Sequence, residues 1–139
     1  MSMTAVSPAT RRKVAPSRRK IRVLVVDDSP VFLDVVCEIL AREPGVEVVG
    51  RAEDGTEALH QVAALAPDLV LMDVEMPHMN GPTATVLLSA YFPSTKVVLM
   101  SAEDSVRLRL DCLASGARAF VWKTRFKEQL DCAMEALEG

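Results

Sequence analysis

Along this chain, short and mainly apolar runs alternate with segments in which apolar residues recur every three or four positions. The runs lie at 21–26, 46–49, 69–72, 97–100 and 119–122 and are rich in valine and leucine. Runs this short and this rich in valine and leucine fit strands buried on both faces, as in parallel sheets. The segments between them have helical spacing. Over 30–42, Val31, Val35 and Ile39 form one stripe with Phe32, Val36 and Leu40 beside it. Asp28 or Ser29 suits its N-cap, Pro30 suits its first turn, and Glu43, Pro44 and Gly45 end it. Asp54 and Gly55 open a second helix with Ala58, Leu59, Val62, Ala63 and Ala66 facing inward, and Pro67 stops it. A loop over 76–81, with Pro77 and Asn80-Gly81 as turn residues, leads to a third helix over 83–91 that yields to Pro93. A fourth spans 105–115 and closes at Gly116. The fifth spans 126–137, with Phe126, Leu130, Ala133, Met134 and Leu137 inward.

Five strand–helix units in this order predict a doubly wound α/β sandwich, a five-stranded parallel sheet with helices on both faces. Right-handed crossovers make 2-1-3-4-5 the expected strand order, with the switch point between strands 1 and 3. A length of 139 residues, half of them apolar, fits one domain, expected over 21–139 with no second folded unit. No apolar stretch reaches the length of a membrane span and no secretory apolar core opens the chain, so no membrane role and a cytoplasmic location are expected. Cys37, Cys112 and Cys132 are widely separated and read as buried thiols of a reducing compartment. The net charge of −3 conceals an asymmetry, since residues 1–20 carry +6 and the remainder −9. A basic, Pro/Ser/Ala-rich segment without apolar periodicity predicts a disordered tail over 1–20 on an acidic globule. Contact with nucleic acid is expected only through that tail; otherwise it is a solvated leader.

The apolar runs stop at polar residues of different chemistry. The first ends at Asp27 and Asp28, the third at Asp73, the fourth at Ser101 and the fifth at Lys123. In an open parallel sheet the carboxyl ends of the strands share one edge, where ligands bind. Three carboxylates gathered there repel one another and take up protons unless a cation joins them. Oxygen donors alone select a hard ion, Mg²⁺ by default. His60, on a surface helix, and His78, in a loop, are solvated side chains outside this set. A carboxylate beside Mg²⁺ is also a nucleophile able to accept a phosphoryl group as a mixed anhydride. That transfer needs charge neutralisation more than acid or base. Lys123 supplies a cation, while the Ser101 hydroxyl and the backbone N–H groups of 101–102 can hold a further oxygen. Taken singly, each residue has an ordinary role as cap, loop hydroxyl or surface lysine. Five on four strand ends favour a site.

The stretches VLVVDDSPVF at 23–32, EDGTEAL at 53–59, DLVLMDVEMPHMNG at 68–81, VVLMSA at 97–102 and GARAFVWK at 116–123 resemble the receiver domain of two-component response regulators. The resemblance covers about residues 20–138 and implies a flavodoxin-like (βα)5 fold of the single-domain, chemotaxis-response-regulator type. It implies Asp73 as phosphoacceptor, with Mg²⁺ held by Asp28, Asp73 and the backbone carbonyl of Glu75, and by Asp27 through water. Lys123 would pair with the phosphoryl group and Ser101 would hydrogen-bond it as the switch. Phe120 stands at the aromatic switch position, often Tyr, whose ring turns inward when Ser101 is drawn to the phosphoryl group. The implied partners are a histidine kinase or phosphotransfer protein and a downstream protein on the helix 4–strand 5–helix 5 face. The implied state is a monomer or a weak phosphorylation-dependent dimer that catalyses its own phosphorylation and dephosphorylation.

This sequence departs from the family pattern at several positions. Thr124 follows Lys123 where the family usually has a proline in a cis peptide. A cis bond at a non-proline costs about 3–4 kcal/mol, which leaves a trans peptide with a rearranged loop or a strained cis one. Phe120 lacks the tyrosine hydroxyl, and the bulky Trp122 is expected to pack beneath helix 4 or 5. Glu75 and Glu103 lie two residues past the phosphoacceptor and the switch, positions expected to tune the lifetime of the phosphoryl group. Two other functions stay open: the receiver portion of a truncated DNA-binding regulator, and a degenerate receiver that binds partners without phosphorylation. A flavodoxin-like cofactor domain shares the topology, but Asp27 and Asp28 would repel a flavin phosphate where such a domain has a hydroxyl- and glycine-rich loop.

Overall fold

The computed structural model describes residues 19–138. In chain order the elements are β1 (Ile21–Val26), α1 (Pro30–Ala41), β2 (Val46–Ala52), α2 (Gly55–Leu65), β3 (Leu69–Asp73) and α3 (Gly81–Tyr91). They continue with β4 (Lys96–Ser101), α4 (Val106–Ala114), β5 (Ala119–Trp122), a 3-10 turn (Lys123–Arg125) and α5 (Phe126–Glu138). The five strands form one parallel sheet in the order β2-β1-β3-β4-β5, as the alternating pattern predicts.

Each strand feeds alternate residues to opposite layers, the two-residue period of extended chain. Val23, Val25, Leu69, Leu71, Val98, Met100 and Val121 pack with Leu33, Val36 and Leu40 of α1 and Phe126 and Leu130 of α5. Leu24, Val26, Val70, Met72, Val97 and Leu99 pack instead with Ala58 and Val62 of α2, Ala84 and Leu88 of α3 and Cys112 of α4. Val23 through Val26 have no exposed surface, which explains the unbroken apolar stretch over the second part of β1.

Side-chain caps start four helices. Ser29 accepts from the Phe32 N–H, Asp54 from Glu57, Asn80 from Thr83 and Ser105 from Leu108, each satisfying an N–H that has no partner within its helix. Ser29, not Asp28, therefore caps α1. Gly116, just past α4, has φ +110, the left-handed region that glycine enters without penalty.

The structure corrects some expected boundaries and faces. β2 runs three residues beyond Val49 because Gly50, Arg51 and Ala52 keep pairing with β1 through a register shift at Val23/Leu24. α3 begins at Gly81 rather than Thr83, since Asn80 is its cap. Ala63 and Ala66 are exposed, Ala66 being the left-handed residue that ends α2. Of the cysteines only Cys112 is buried; Cys37 is half-buried, and Cys132 lies on the solvent face of α5.

The expected disordered basic segment falls, but for its last two residues, outside the described residues. Arg19 donates to both oxygens of Asp68, at 3.1 and 2.7 Å, and the Arg22 backbone N–H reaches the same carboxylate. Among the described residues no helix is long and apolar enough to cross a membrane.

Candidate functional site

Strand register brings the polar strand ends together. Val26 pairs with Met72, so Asp27 and Asp73 follow side by side; Asp73 pairs with Met100, and Ser101 with Trp122, next to Lys123. One ligand atom from each of Asp27, Asp28 and Asp73 lies within 4.8 Å of the others. Asp27 has no exposed surface, Asp73 is 6% exposed and Ser101 4%, whereas Asp28 is open to solvent.

The Lys123 ammonium lies between two of the carboxylates, 2.6 Å from Asp27 Oδ2 and 3.1 Å from Asp73 Oδ1. Its side chain is only 16% exposed. Burial works against the ammonium, but Asp27 and Asp73 outweigh it and hold Lys123 above its ordinary pKa. Asp73 is perturbed in the opposite sense for a carboxyl: burial, joined by the charges of Asp27 and Asp28, pushes it up to about 6 despite Lys123. One lysine does not neutralise three acids.

Asp27 is held at both oxygens. Its Oδ1 accepts from the Ser29 backbone N–H at 2.9 Å. Its fully buried Oδ2 pairs with the Lys123 ammonium at 2.6 Å. Three carboxylates share one ammonium, an excess of negative charge that suits a further cation. Oxygen donors suit a hard divalent ion such as Mg²⁺, so the residues present fit the expected metal.

Ser101 Oγ accepts from the Glu103 backbone N–H at 3.0 Å, leaving its proton free to donate. Glu75 and Glu103 are exposed in the loops that follow β3 and β4. Phe120 is half-buried against the α2–α4 layer, with the Arg109 guanidinium 5.2 Å from its ring centre and Arg109 itself paired to Asp104 at 2.6 Å. The Trp122 indole N–H donates to the Ala102 carbonyl at 3.2 Å, tying the ring to the β4–α4 loop, and its backbone N–H donates to Gln129 of α5 at 2.7 Å. Among the described residues no peptide bond is cis, so Thr124 takes the trans alternative, and Lys123, Thr124 and Arg125 form the 3-10 turn into α5. His60 and His78 are exposed and stand outside the acidic cluster.

Sequence reasoning missed two contacts at this edge. Lys123 Nζ lies 4.4 Å from the centre of the Phe32 ring, and Arg109 covers Phe120. Phe32 sits in a helical stripe that reads only as core, and no local pattern marks Arg109.

Residues 23–135 match the response regulator receiver domain family. The chain is 39% identical over 123 residues to the NarL transcriptional regulatory protein of Mycobacterium tuberculosis, covering 85% of this chain and 57% of that protein. It is 40% identical over 107 residues to a protein-glutamate methylesterase/protein-glutamine glutaminase of Thermotoga maritima, covering 76% of this chain and 31% of that one. The chain thus spans little more than half of one relative and under a third of the other. Among solved structures, the receiver domain of M. tuberculosis NarL superposes with a TM-score of 0.76 at 38% identity, over 84% of this chain and 98% of that one. The response regulator domain of T. maritima CheB superposes with a TM-score of 0.78 at 33% identity, over 87% and 98%. With its sheet order, its acidic strand-end cluster and these matches, the chain belongs to the family of response regulator receiver domains.

Proposed function

We propose that this receiver takes a phosphoryl group from a histidine kinase or phosphotransfer protein onto Asp73 and passes the change to a protein partner. The observation that carries this reading is the Lys123 ammonium held between Asp27 and Asp73 at the buried edge of the sheet. An Asp73 oxygen forms the new O–P bond as the donor's P–N bond breaks, and Lys123 neutralises charge on the arriving phosphoryl oxygens. Asp28, Asp73 and the Glu75 backbone carbonyl would hold Mg²⁺, with Asp27 acting through water. When bound, that ion supplies the positive charge that one lysine cannot.

Ser101 reads the product. Donating its proton to the phosphoryl group draws the β4–α4 loop toward the site and exchanges the resting hydrogen bond from Glu103 for a new arrangement. A phosphoryl group that binds one arrangement better shifts the population toward it. The change reaches the face of α4, β5 and α5, where Arg109, Phe120, Gln129 and Cys132 line a groove of about 300 Å³. The exposed carboxylates of Glu75 and Glu103 flank the approach to Asp73 and set how long the group survives.

A small phosphodonor with Mg²⁺, read by intact mass and by fluorescence of the single tryptophan, tests the reading. A mass adduct lost in Asp73→Asn supports it. A wild-type protein that gains no mass under those conditions is a phosphorylation-independent binding module instead. Glu75→Gln and Glu103→Gln should alter the dephosphorylation half-life, and unchanged half-lives remove them from that role. Because the matched regulators are about twice as long as the region they share with this chain, a DNA-binding output carried by a longer protein is the second reading. The full reading frame decides it.

A further inference from the structure

We propose that Phe32 is a positioning residue that holds the Lys123 ammonium in line for the phosphoryl group, an assignment that rests on Asp73 being the phosphoacceptor. Lys123 Nζ sits 4.4 Å from the Phe32 ring centre, within the range where the negative face of an aromatic ring attracts a cation. The ring is itself fixed. It meets Phe126 edge to face, with centroids 5.9 Å apart and planes at 86°, and Phe126 is buried at the start of α5. Edge-to-face pairs of this kind are favourable and directional.

The contact closes a circuit of four residues. Lys123 Nζ pairs with Asp27 Oδ2 at 2.6 Å, Asp27 Oδ1 accepts from the Ser29 N–H at 2.9 Å, and Ser29 Oγ accepts from the Phe32 N–H at 3.2 Å. The Phe32 ring then returns to Lys123. The cap that starts α1 therefore also sets where the ring stands. An ammonium on a flexible four-carbon stem needs such a seat, because free rotation would let it leave the site.

The turn after Lys123 offers no equivalent grip. Thr124 and Arg125 are both exposed, and the 3-10 turn holds the Lys123 backbone through the Phe126 N–H, not its side chain. Where the family pattern has a proline after the lysine, this chain has Thr124, and side-chain order at Lys123 comes from the Phe32 ring and the two aspartates. Phe32 also touches the α1–α5 core, so a positioning role must be separated from packing.

Three variants and two measurements do so. In wild-type protein the Lys123 ε-methylene protons should resonate upfield, shifted by the ring current of Phe32. Phe32→Leu and Phe32→Met should return them to an ordinary position, and Phe32→Tyr should keep the shift. With a small phosphodonor and Mg²⁺, the initial phosphorylation rate should fall by about three- to tenfold in the Leu and Met variants, the range expected for a partly desolvated cation–π contact, and recover in the Tyr variant. An unshifted Lys123 in the wild type overturns the proposal, as do unchanged rates in the Leu and Met variants or a folded Tyr variant as slow as they are. A wild type with shifted Lys123 resonances that takes no phosphoryl group refutes the phosphoacceptor reading, and the positioning role falls with it.

Discussion

Replacing Asp73 by Asn should stabilise the metal-free protein at neutral pH, although the change removes one member of an ion pair. The Asp73 carboxyl is pushed from 3.8 to about 6, first by burial and then by the charges of Asp27 and Asp28, with Lys123 only partly offsetting them. At about 1.4 kcal/mol per tenfold change in proton affinity, ionising Asp73 inside the fold costs about 3 kcal/mol more than in the unfolded chain. Asn avoids that cost at similar size but must bury an amide against Lys123, so the net gain should be about 1–3 kcal/mol. The sign with pH follows from the proton count. A carboxyl whose pKa is higher in the fold binds its proton more tightly there, so the wild type gains stability as pH falls through about 6 and levels off near 4. The advantage of the Asn variant should be complete above about pH 7 and gone by about pH 4. Urea unfolding in EDTA, followed by far-ultraviolet circular dichroism at several pH values, measures the gap. An Asn variant less stable than wild type at neutral pH, or a gap that ignores pH, would refute the electrostatic reasoning.

Three other perturbations have defined outcomes. In Gly81→Ala the new Cβ would lie 2.4 Å from the Asp73 carbonyl oxygen and 3.0 Å from Val74 Cα, a backbone clash that should cost about 1–3 kcal/mol in urea unfolding; wild-type stability would mean that the loop yields freely. Ser29→Ala removes the side-chain cap of α1 and should cost about 1 kcal/mol by the same assay, with no loss meaning that water caps the helix as well. Burial pushes the Cys112 thiol up to about 11 and encloses it, so a thiol reagent at about pH 8 should label exposed Cys132 in native protein and Cys112 only after unfolding. Equal labelling of both would contradict the packing of α4.

The strand ends were legible because parallel strands buried on both faces leave nothing polar until they stop, so Asp27, Asp73, Ser101 and Lys123 stand out against unbroken apolar runs. The end of β2 was not. Gly50 and Arg51 belong to an edge strand whose pairing survives without an apolar signal. Ala63 and Cys132 misled for a related reason, since small and weakly apolar side chains fit either face of a helix and do not report which one they occupy. Trp122, Arg109 and Phe32 show the deeper limit. Their partners, Ala102, Phe120 and Lys123, come from other elements, and only the folded register brings the pairs within reach.

Alternation along the strands has a consequence for how this chain tolerates insertions and deletions. Asp73 shares the parity of Leu69 and Leu71, which face α1 and α5, whereas Ser101 shares that of Val97 and Leu99, which face the opposite layer. Donor-facing charge and the hydroxyl that senses it thus leave the sheet on opposite sides. Deleting one residue within β4 would keep most of its apolar character yet turn the hydroxyl into the layer of α1 and bring Ala102 to its place. Such a protein could fold and remain mute. The loops at the other edge of the sheet, between Leu65 and Leu69 or between Tyr91 and Lys96, carry no such phase, and length changes there should be silent by comparison.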